Sequence, residues 1–117
     1  MTRYLLDTNI ISDLVRNPQG PVFRHLQRVG DGNVCTSIIV ASKLRYGCLK
    51  KGSPRLTERV EEILALIPVL ALEEPADRIY GDCRADLERR GTPIGGNDLL
   101  IAAQTLALDL TLATANV

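Results

Sequence analysis

The chain has 117 residues, within the ~50–250 of a single domain, so it has room for one core and no second domain. Lysine plus arginine balance aspartate plus glutamate at 14 each, which excludes an overall positive field drawing the whole surface to nucleic acid and leaves any such contact local. The hydrophobic fraction is an ordinary 45%, but the only aromatics are Tyr4, Phe23, Tyr46 and Tyr80, so the expected core is aliphatic and no platform for stacking bases is evident.

Cys35, Cys48 and Cys83 are odd in number, far apart and without a C-x-x-C pair, and His25 is the single histidine. That pattern argues against a disulfide framework and a zinc site and fits a reduced, cytoplasmic setting. No signal-peptide pattern opens the chain. The longest apolar runs, Ile38 to Ala41 and Ile63 to Leu72 with its Pro68 break, fall well short of the ~20 residues that cross a bilayer, so a soluble protein is expected.

Tyr4 to Leu6 is a short apolar run that delivers Asp7 and then Thr8, an N-cap type with Ile10, Ile11 and Leu14 behind it, which predicts a strand turning into a helix. At the carboxyl end of a strand in an open α/β sheet, Asp7 would lie where ligands bind, or it would only cap the helix; the stretch leaves both readings open. The helix runs to about Arg16, and Asn17-Pro18-Gln19-Gly20 is a turn. Pro21 suits the first turn of a second helix, with Val22, Leu26 and Val29 at helical spacing, until Gly30-Asp31-Gly32-Asn33 breaks it. Val34 to Thr36 predicts a second strand. Ser37 caps a third helix that runs to about Lys51 with Val40, Leu44, Gly47 and Cys48 on one face, and Gly52-Ser53-Pro54 stops it. Arg55 to Ile67 predicts a fourth helix, ended by Pro68.

Val69 to Leu72 is a third strand candidate. Glu73-Glu74-Pro75 opens a fifth helix with acids and proline in its first turn, and Ile79, Cys83 and Leu87 carry it to about Arg90 before Gly91. After the loop Thr92 to Gly96, Asn97 is the predicted N-cap of an apolar helix over Asp98 to Leu108, which puts Asp98 in its first turn. Leu110 to Ala113 is a fourth strand, followed by Thr114-Ala115-Asn116. This alternation calls for an α/β fold, a parallel sheet with helices on both faces.

Three polar positions then fall where one edge of the sheet collects them: Asp7 after the first strand, Asp98 at a helix start and Asn116 after the fourth strand. Two carboxylates in a partly buried crevice repel, and a divalent cation resolves the conflict. Hard oxygen ligands without histidine or cysteine point to Mg²⁺, with Mn²⁺ as a substitute, and such ions suit phosphate substrates. For Asp98 alone the plainer reading, an acid at the positive end of a helix, stays open.

With these motifs in order, the chain resembles PIN-domain endoribonucleases of the VapC type, the toxin half of a type II toxin-antitoxin pair. Leu5-Leu6-Asp7-Thr8-Asn9 is similar to the family's opening motif; Thr36-Ser37-Ile38 with Leu44-Arg45-Tyr46-Gly47 resembles the second, Asn97 to Ala103 the third and Thr114-Ala115-Asn116 the fourth. The resemblance covers nearly the whole chain and implies a single PIN domain over residues 1–117. It implies Asp7 and Asp98 as metal ligands, Thr8 and Asn9 as their hydrogen-bonding support, and Asn116 where many relatives have a further Asp. It also implies Mg²⁺-dependent hydrolysis of RNA, with tRNA the usual class, a cognate VapB-type antitoxin and a homodimer.

The chain departs from that family pattern twice. Relatives have Glu immediately before Leu-Arg-Tyr-Gly, and here Lys43 stands in its place, a cation inside an acidic site, so weak Mg²⁺ binding and attenuated cleavage are expected. Relatives also continue past the position of Asn116 into a turn, a Phe and a final strand, whereas this sequence stops at Val117, so the expected PIN-like sheet has about four strands, lacks the last one and leaves an edge uncovered.

The chemistry implied is attack by a metal-activated water on an RNA phosphodiester. Arg45, Lys50, Lys51, Arg55 and Arg59 are local candidates for phosphate contacts, with solvated surface charge as the plainer reading. The aliphatic helices after Ser37 and from Arg55 to Ile67 offer more apolar face than a small sheet covers, which suits a dimer and an antitoxin. Two rival enzymes fit less well. A haloacid-dehalogenase-like phosphatase needs a second acid two residues after the first, where this chain has Asn9, and a receiver domain needs an acid pair and a late lysine present only in fragments. The non-enzymatic alternative is a catalytically crippled PIN domain serving as an antitoxin-binding module.

Overall fold

The central strand β1 (Tyr4–Leu6) holds Leu5 and Leu6 at 0% and 1% exposure, buried on both faces as an inner strand of a parallel sheet must be. It pairs with β2 (Val34–Ser37) on one side and β4 (Thr111–Ala113) on the other, and β3 (Val69–Leu70) lies outside β2. The computed structural model describes residues 3–114, and in it the order β3-β2-β1-β4 is parallel throughout, the expected four-strand sheet. Register sets Leu5 opposite both Cys35 and Leu112, so Leu6, Ser37 and Ala113 end their strands along one carboxyl edge.

Among the described residues six helices flank the sheet, α1 (Thr8–Arg16), α2 (Pro21–Val29), α3 (Ile38–Lys51), α4 (Pro54–Leu66), α5 (Ala76–Arg89) and α6 (Gly96–Ala107), with a 3₁₀ turn at Asp31–Asn33. The first four pack among themselves, α5 packs along α6, and α3 also touches α6. No helix among the described residues is long and apolar enough to cross a membrane. The core is aliphatic, as the composition requires: Leu5, Leu6, Ile11, Val40, Ala41, Leu44, Val60, Leu64 and Ile101 are buried together, and Cys35 and Cys48 fill gaps among them as small apolar thiols. Truncating one of the fully buried leucines to alanine costs roughly 2–5 kcal/mol, a large share of a small domain's stability.

Boundaries differ from the sequence pattern at several places, and four of the differences have a plain local reason. Asp7, not Thr8, is the N-cap of α1, because its extended backbone (φ −78°, ψ 169°) lets its own carboxylate accept the Thr8 N–H. Ser53 does more than stop a helix; its hydroxyl accepts the Leu56 N–H and caps α4. β3 ends at Leu70 and not Leu72, since it pairs only with Thr36 and Ser37, and β2 ends there. Glu73 and Glu74 precede α5, which starts after Pro75, because a residue before proline is driven out of the helical region; Asp77 is the only acid in that first turn.

Candidate active site

Asp7 is fixed from three directions. Its N–H donates to the Ala113 carbonyl at 2.9 Å, which locks β1 to β4; its carbonyl accepts from the N–H groups of Ile10 and Ile11 at 3.1 and 3.3 Å; and its Oδ1 accepts from the Thr8 N–H at 2.7 Å. Among the described residues the Thr8 N–H is the one donor to this carboxylate, so capping occupies Oδ1 and leaves Oδ2 for a ligand. The Thr8 hydroxyl beside it is buried with no protein partner, an acceptor and donor in want of a water or an ion's water shell. Thr8 thus supports Asp7 through its backbone. Asn9, expected to help, is exposed and makes no side-chain hydrogen bond among the described residues.

Support for this edge also comes from Thr36, Ser37 and Gln104, of which the pattern reveals the role of Ser37 alone. Thr36, fully buried in β2, donates its hydroxyl to the Leu6 carbonyl at 2.7 Å and so ties the ends of β1 and β2 immediately before Asp7. A threonine in a three-residue apolar run was the only signal. Ser37 caps α3 as expected, accepting the Ile39 N–H at 3.0 Å. Gln104, 1% exposed in the apolar α6, donates to the carbonyls of Leu70 and Ala71 at 3.2 and 3.1 Å and clamps that helix to the end of β3. A polar pair, Gln104-Thr105, inside an otherwise apolar stretch of helix is its signal.

Asp98 is the third residue of α6. The predicted cap at Asn97 is not used: Gly95 is the N-cap, it supplies no side-chain bond, and its carbonyl accepts the Leu99 N–H at 2.9 Å. The tail of α6 returns through Leu108–Leu110 to the start of β4, so the helix runs back against its strand and its first turn points toward the carboxyl edge where Asp7 lies. The Asp98 carboxylate leans over that turn, where the positive end of the helix favours it. Its Oδ1 stands 3.6 Å from the Lys43 ammonium, with 64% of the Asp98 side chain and 34% of the Lys43 side chain exposed. The structure therefore brings Lys43 and Asp98 together and sets Asp7 on the same edge. Asn116 lies outside the described residues.

The predicted phosphate contacts are mostly placed elsewhere. α3 leaves the carboxyl edge at Ile38, and Lys50, Lys51 and Arg55 follow at its far end, roughly 18 Å down a helix rising 1.5 Å per residue. Arg45 is engaged with Glu61, Nε to Oε2 and Nη2 to Oε1 both at 3.0 Å, and that pairing holds the Glu61 carboxyl below its ordinary range and raises the guanidinium's. Arg59 donates to the Val15 carbonyl at 3.2 Å and closes the end of α1. Among the described residues, Lys43 is the cation in contact with either acid.

Two carboxylates and the orphaned Thr8 hydroxyl next to Asp7, all hard oxygen donors, suit a hydrated Mg²⁺ or Mn²⁺. Lys43 competes for Asp98. No group of three or more His, Cys, Asp or Glu side chains positioned for a metal occurs among the described residues, and an ion held by Asp7 and Asp98 alone would have to keep several waters, as Mg²⁺ commonly does.

A four-strand parallel sheet with an acid at the end of its central strand and a second acid opening the helix before its last strand defines a class of protein. Residues 4–117 match the PIN domain family, and the chain belongs to that family. Within it the similarity is to VapC proteins: 31% identity over 116 residues to the ribonuclease VapC2 of Rickettsia felis, covering 97% of this chain and 87% of that one. It is 32% identical over 117 residues to the tRNA(fMet)-specific endonuclease VapC of Shigella flexneri, covering 99% and 88%. The crystal structure of VapBC2 from Rickettsia felis bound to a DNA fragment from their promoter matches the fold with a TM-score of 0.88 at 29% identity, over 98% of this chain and 88% of that one.

Proposed function

We propose that the chain is a Mg²⁺-dependent endoribonuclease, the toxin of a type II toxin-antitoxin pair, and that Lys43 attenuates it. The observation that carries this reading is Asp7, an acid locked at the carboxyl end of the central strand with one oxygen left over and an orphaned hydroxyl beside it. Asp7 and Asp98 would hold the ion, with Mn²⁺ able to replace Mg²⁺. When bound, such an ion activates a water and offsets charge on the phosphoryl oxygens. The chain's own residues do the rest: Asp7 and Asp98 fix the position, and Thr36 holds the strand end that carries Asp7. Lys43 offsets part of the negative charge that attracts the ion. The tRNA specificity of the Shigella flexneri relative makes tRNA the first substrate to try.

The partner reading rests on an apolar groove of about 500 Å³ between α1, α2 and α4, lined by Leu14, Phe23, Leu26, Ile63, Leu66 and Ile67 with Arg59 and Glu62 at its rim. Leu66 is 80% exposed there, a cost in water that an amphipathic antitoxin helix would remove. The VapBC complexes among similar structures support a VapB-type partner. Tyr46 and Leu49, 65% and 80% exposed on α3, offer a second apolar patch for a homodimer; sedimentation showing only monomer at micromolar concentration counts against it.

The Lys43–Asp98 pair favours one further reading, a PIN domain that keeps its antitoxin and has lost its chemistry. Incubation with tRNA and Mg²⁺, then with EDTA, separates the two. Cleavage that EDTA stops is expected of the enzyme; intact RNA at high enzyme and high Mg²⁺, with antitoxin binding retained, would establish the binder.

A further inference from the structure

Two cations of α3 meet acids on neighbouring helices, and they are held differently. Arg45 grips Glu61 through two bonds of 3.0 Å in fixed fork geometry. Lys43 touches Asp98 once, at 3.6 Å, well beyond the ~2.7–2.9 Å of a charge-assisted hydrogen bond. Its ammonium is a point charge on a flexible stem, partly open to solvent, resting on a carboxylate that is itself mostly exposed. Such a contact neutralises the acid without fixing the base, so a competing anion can draw the ammonium off.

The proposed substrate supplies that anion in every phosphodiester. We infer that Lys43 couples metal loading to the arrival of RNA. In the free protein the ammonium sits on Asp98 and keeps affinity for the divalent ion low. A phosphodiester at the carboxyl edge takes the ammonium onto a non-bridging oxygen, and the released Asp98 carboxylate joins Asp7 in holding the ion. Charge accounts for the order of events. At rest, two carboxylates and one ammonium leave −1, too little to concentrate a divalent cation strongly. With RNA bound, the ammonium offsets the phosphate and the two carboxylates present −2 to the ion. Binding linkage makes the effect reciprocal, so the ion tightens RNA binding by the same factor.

This inference rests on the metal-dependent ribonuclease reading, and its test separates the two. Mn²⁺ affinity is measured by electron paramagnetic resonance for the full chain, Lys43→Met and Lys43→Glu, each alone and with a 2′-O-methyl RNA oligonucleotide whose integrity is checked afterwards. In the parent chain the oligonucleotide should tighten Mn²⁺ binding about tenfold, within the usual span of coupling between sites. Lys43→Met should bind Mn²⁺ more tightly without RNA and gain only a few-fold from it. Circular dichroism shows whether each variant is folded, and Lys43→Gln serves if the methionine variant is not. An equal RNA-dependent gain in parent and Lys43→Met overturns the coupling while leaving the metal centre standing. Absence of Mn²⁺ binding even in folded Lys43→Glu overturns the metal centre, and the coupling with it.

Discussion

The two acids of the candidate site are held in opposite ways. Asp7 sits between a buried strand and a helix, with its backbone N–H, its carbonyl and one carboxylate oxygen all bonded, and with Thr36 bracing the residue before it. Asp98 opens a helix without a side-chain cap, at the end of a stretch, residues 91–98, that is exposed throughout. Its one charged contact among the described residues is the loose ammonium of Lys43. One half of the site is set when the sheet forms, and the other half can still respond to what arrives. Pre-organisation lowers the cost of placing an ion, whereas an adjustable second ligand lets occupancy depend on the substrate.

The sharpest way to break that comparison is at Asp7. Asn caps a helix about as well as Asp, so Asp7→Asn should keep stability within about 0.5 kcal/mol while reducing metal-dependent cleavage at least ~100-fold, since the proposed ligand and its charge are gone. Asp7→Ala should lose cleavage equally and a further ~1 kcal/mol of stability with the cap. Gel assays and thermal melts check both, and retained cleavage in either variant would reduce Asp7 to a cap.

At the adjustable half the charge itself is the lever. Lys43→Glu changes the site by two units, and each contact at ~4 Å is worth ~1 kcal/mol in water and up to ~4 at a near-surface dielectric. Both groups are partly exposed, so the lower end applies, and a gain of about tenfold in Mg²⁺ affinity and in cleavage rate is expected. Calorimetric titration beside the parent decides it; equal affinities and rates would show that the lysine leans into solvent and leaves the acids alone.

The difference between the halves also explains what could be read from the sequence. Asp7 was legible because a strand, an acid and a helix start are local chemistry written in consecutive residues, and the alternation of strands and helices prescribed the parallel sheet that carries it. The N-cap of α6 is expected at Asn97 but lies at Gly95, since Gly95 and Gly96 have no side chain with which to signal a boundary and the helix begins two residues earlier than a polar cap would place it. The substitution at Lys43 announced a charge reversal, but its contact with Asp98 depends on how α3 meets α6, a packing geometry that no periodicity encodes. The same holds for Thr36 and Gln104, whose partners are backbone carbonyls on other elements. Lys50, Lys51 and Arg55 looked like phosphate contacts only until the length of α3 carried them away from the edge.

A smaller effect is expected from Thr36→Val, which keeps shape and burial but removes the hydroxyl that the Leu6 carbonyl accepts. Leaving that carbonyl short of a partner costs about 1–3 kcal/mol. If Thr36 braces the fixed half of the site, cleavage should fall several-fold in the folded variant, while the Lys43-dependent part of Mg²⁺ affinity stays unchanged. A stability loss with full activity would make Thr36 a fold residue only.

The least effect should come from the tighter of the two ion pairs on α3. Arg45 holds Glu61 bidentately at 3.0 Å, yet both side chains are about half exposed. In water such pairs contribute ~0–1 kcal/mol, less as salt screens them. The sign of its pH dependence is fixed by the direction of the shift. Arg45 depresses the Glu61 carboxyl below its ordinary value, so the contribution is present above the unfolded pKa and is lost as pH falls through the lower, folded pKa. Glu61→Gln should therefore cost under ~0.5 kcal/mol at neutral pH and low salt, and the difference from the parent should vanish in acid and in ~1 M salt. RNA cleavage should not change, because this pair joins α3 to α4 and touches neither acid of the site. If Glu61→Gln altered Mg²⁺ affinity as strongly as Lys43→Glu, the position of a charge on α3 would matter less than the helix's total charge, and the contrast between a gripping pair and a yielding one would be lost.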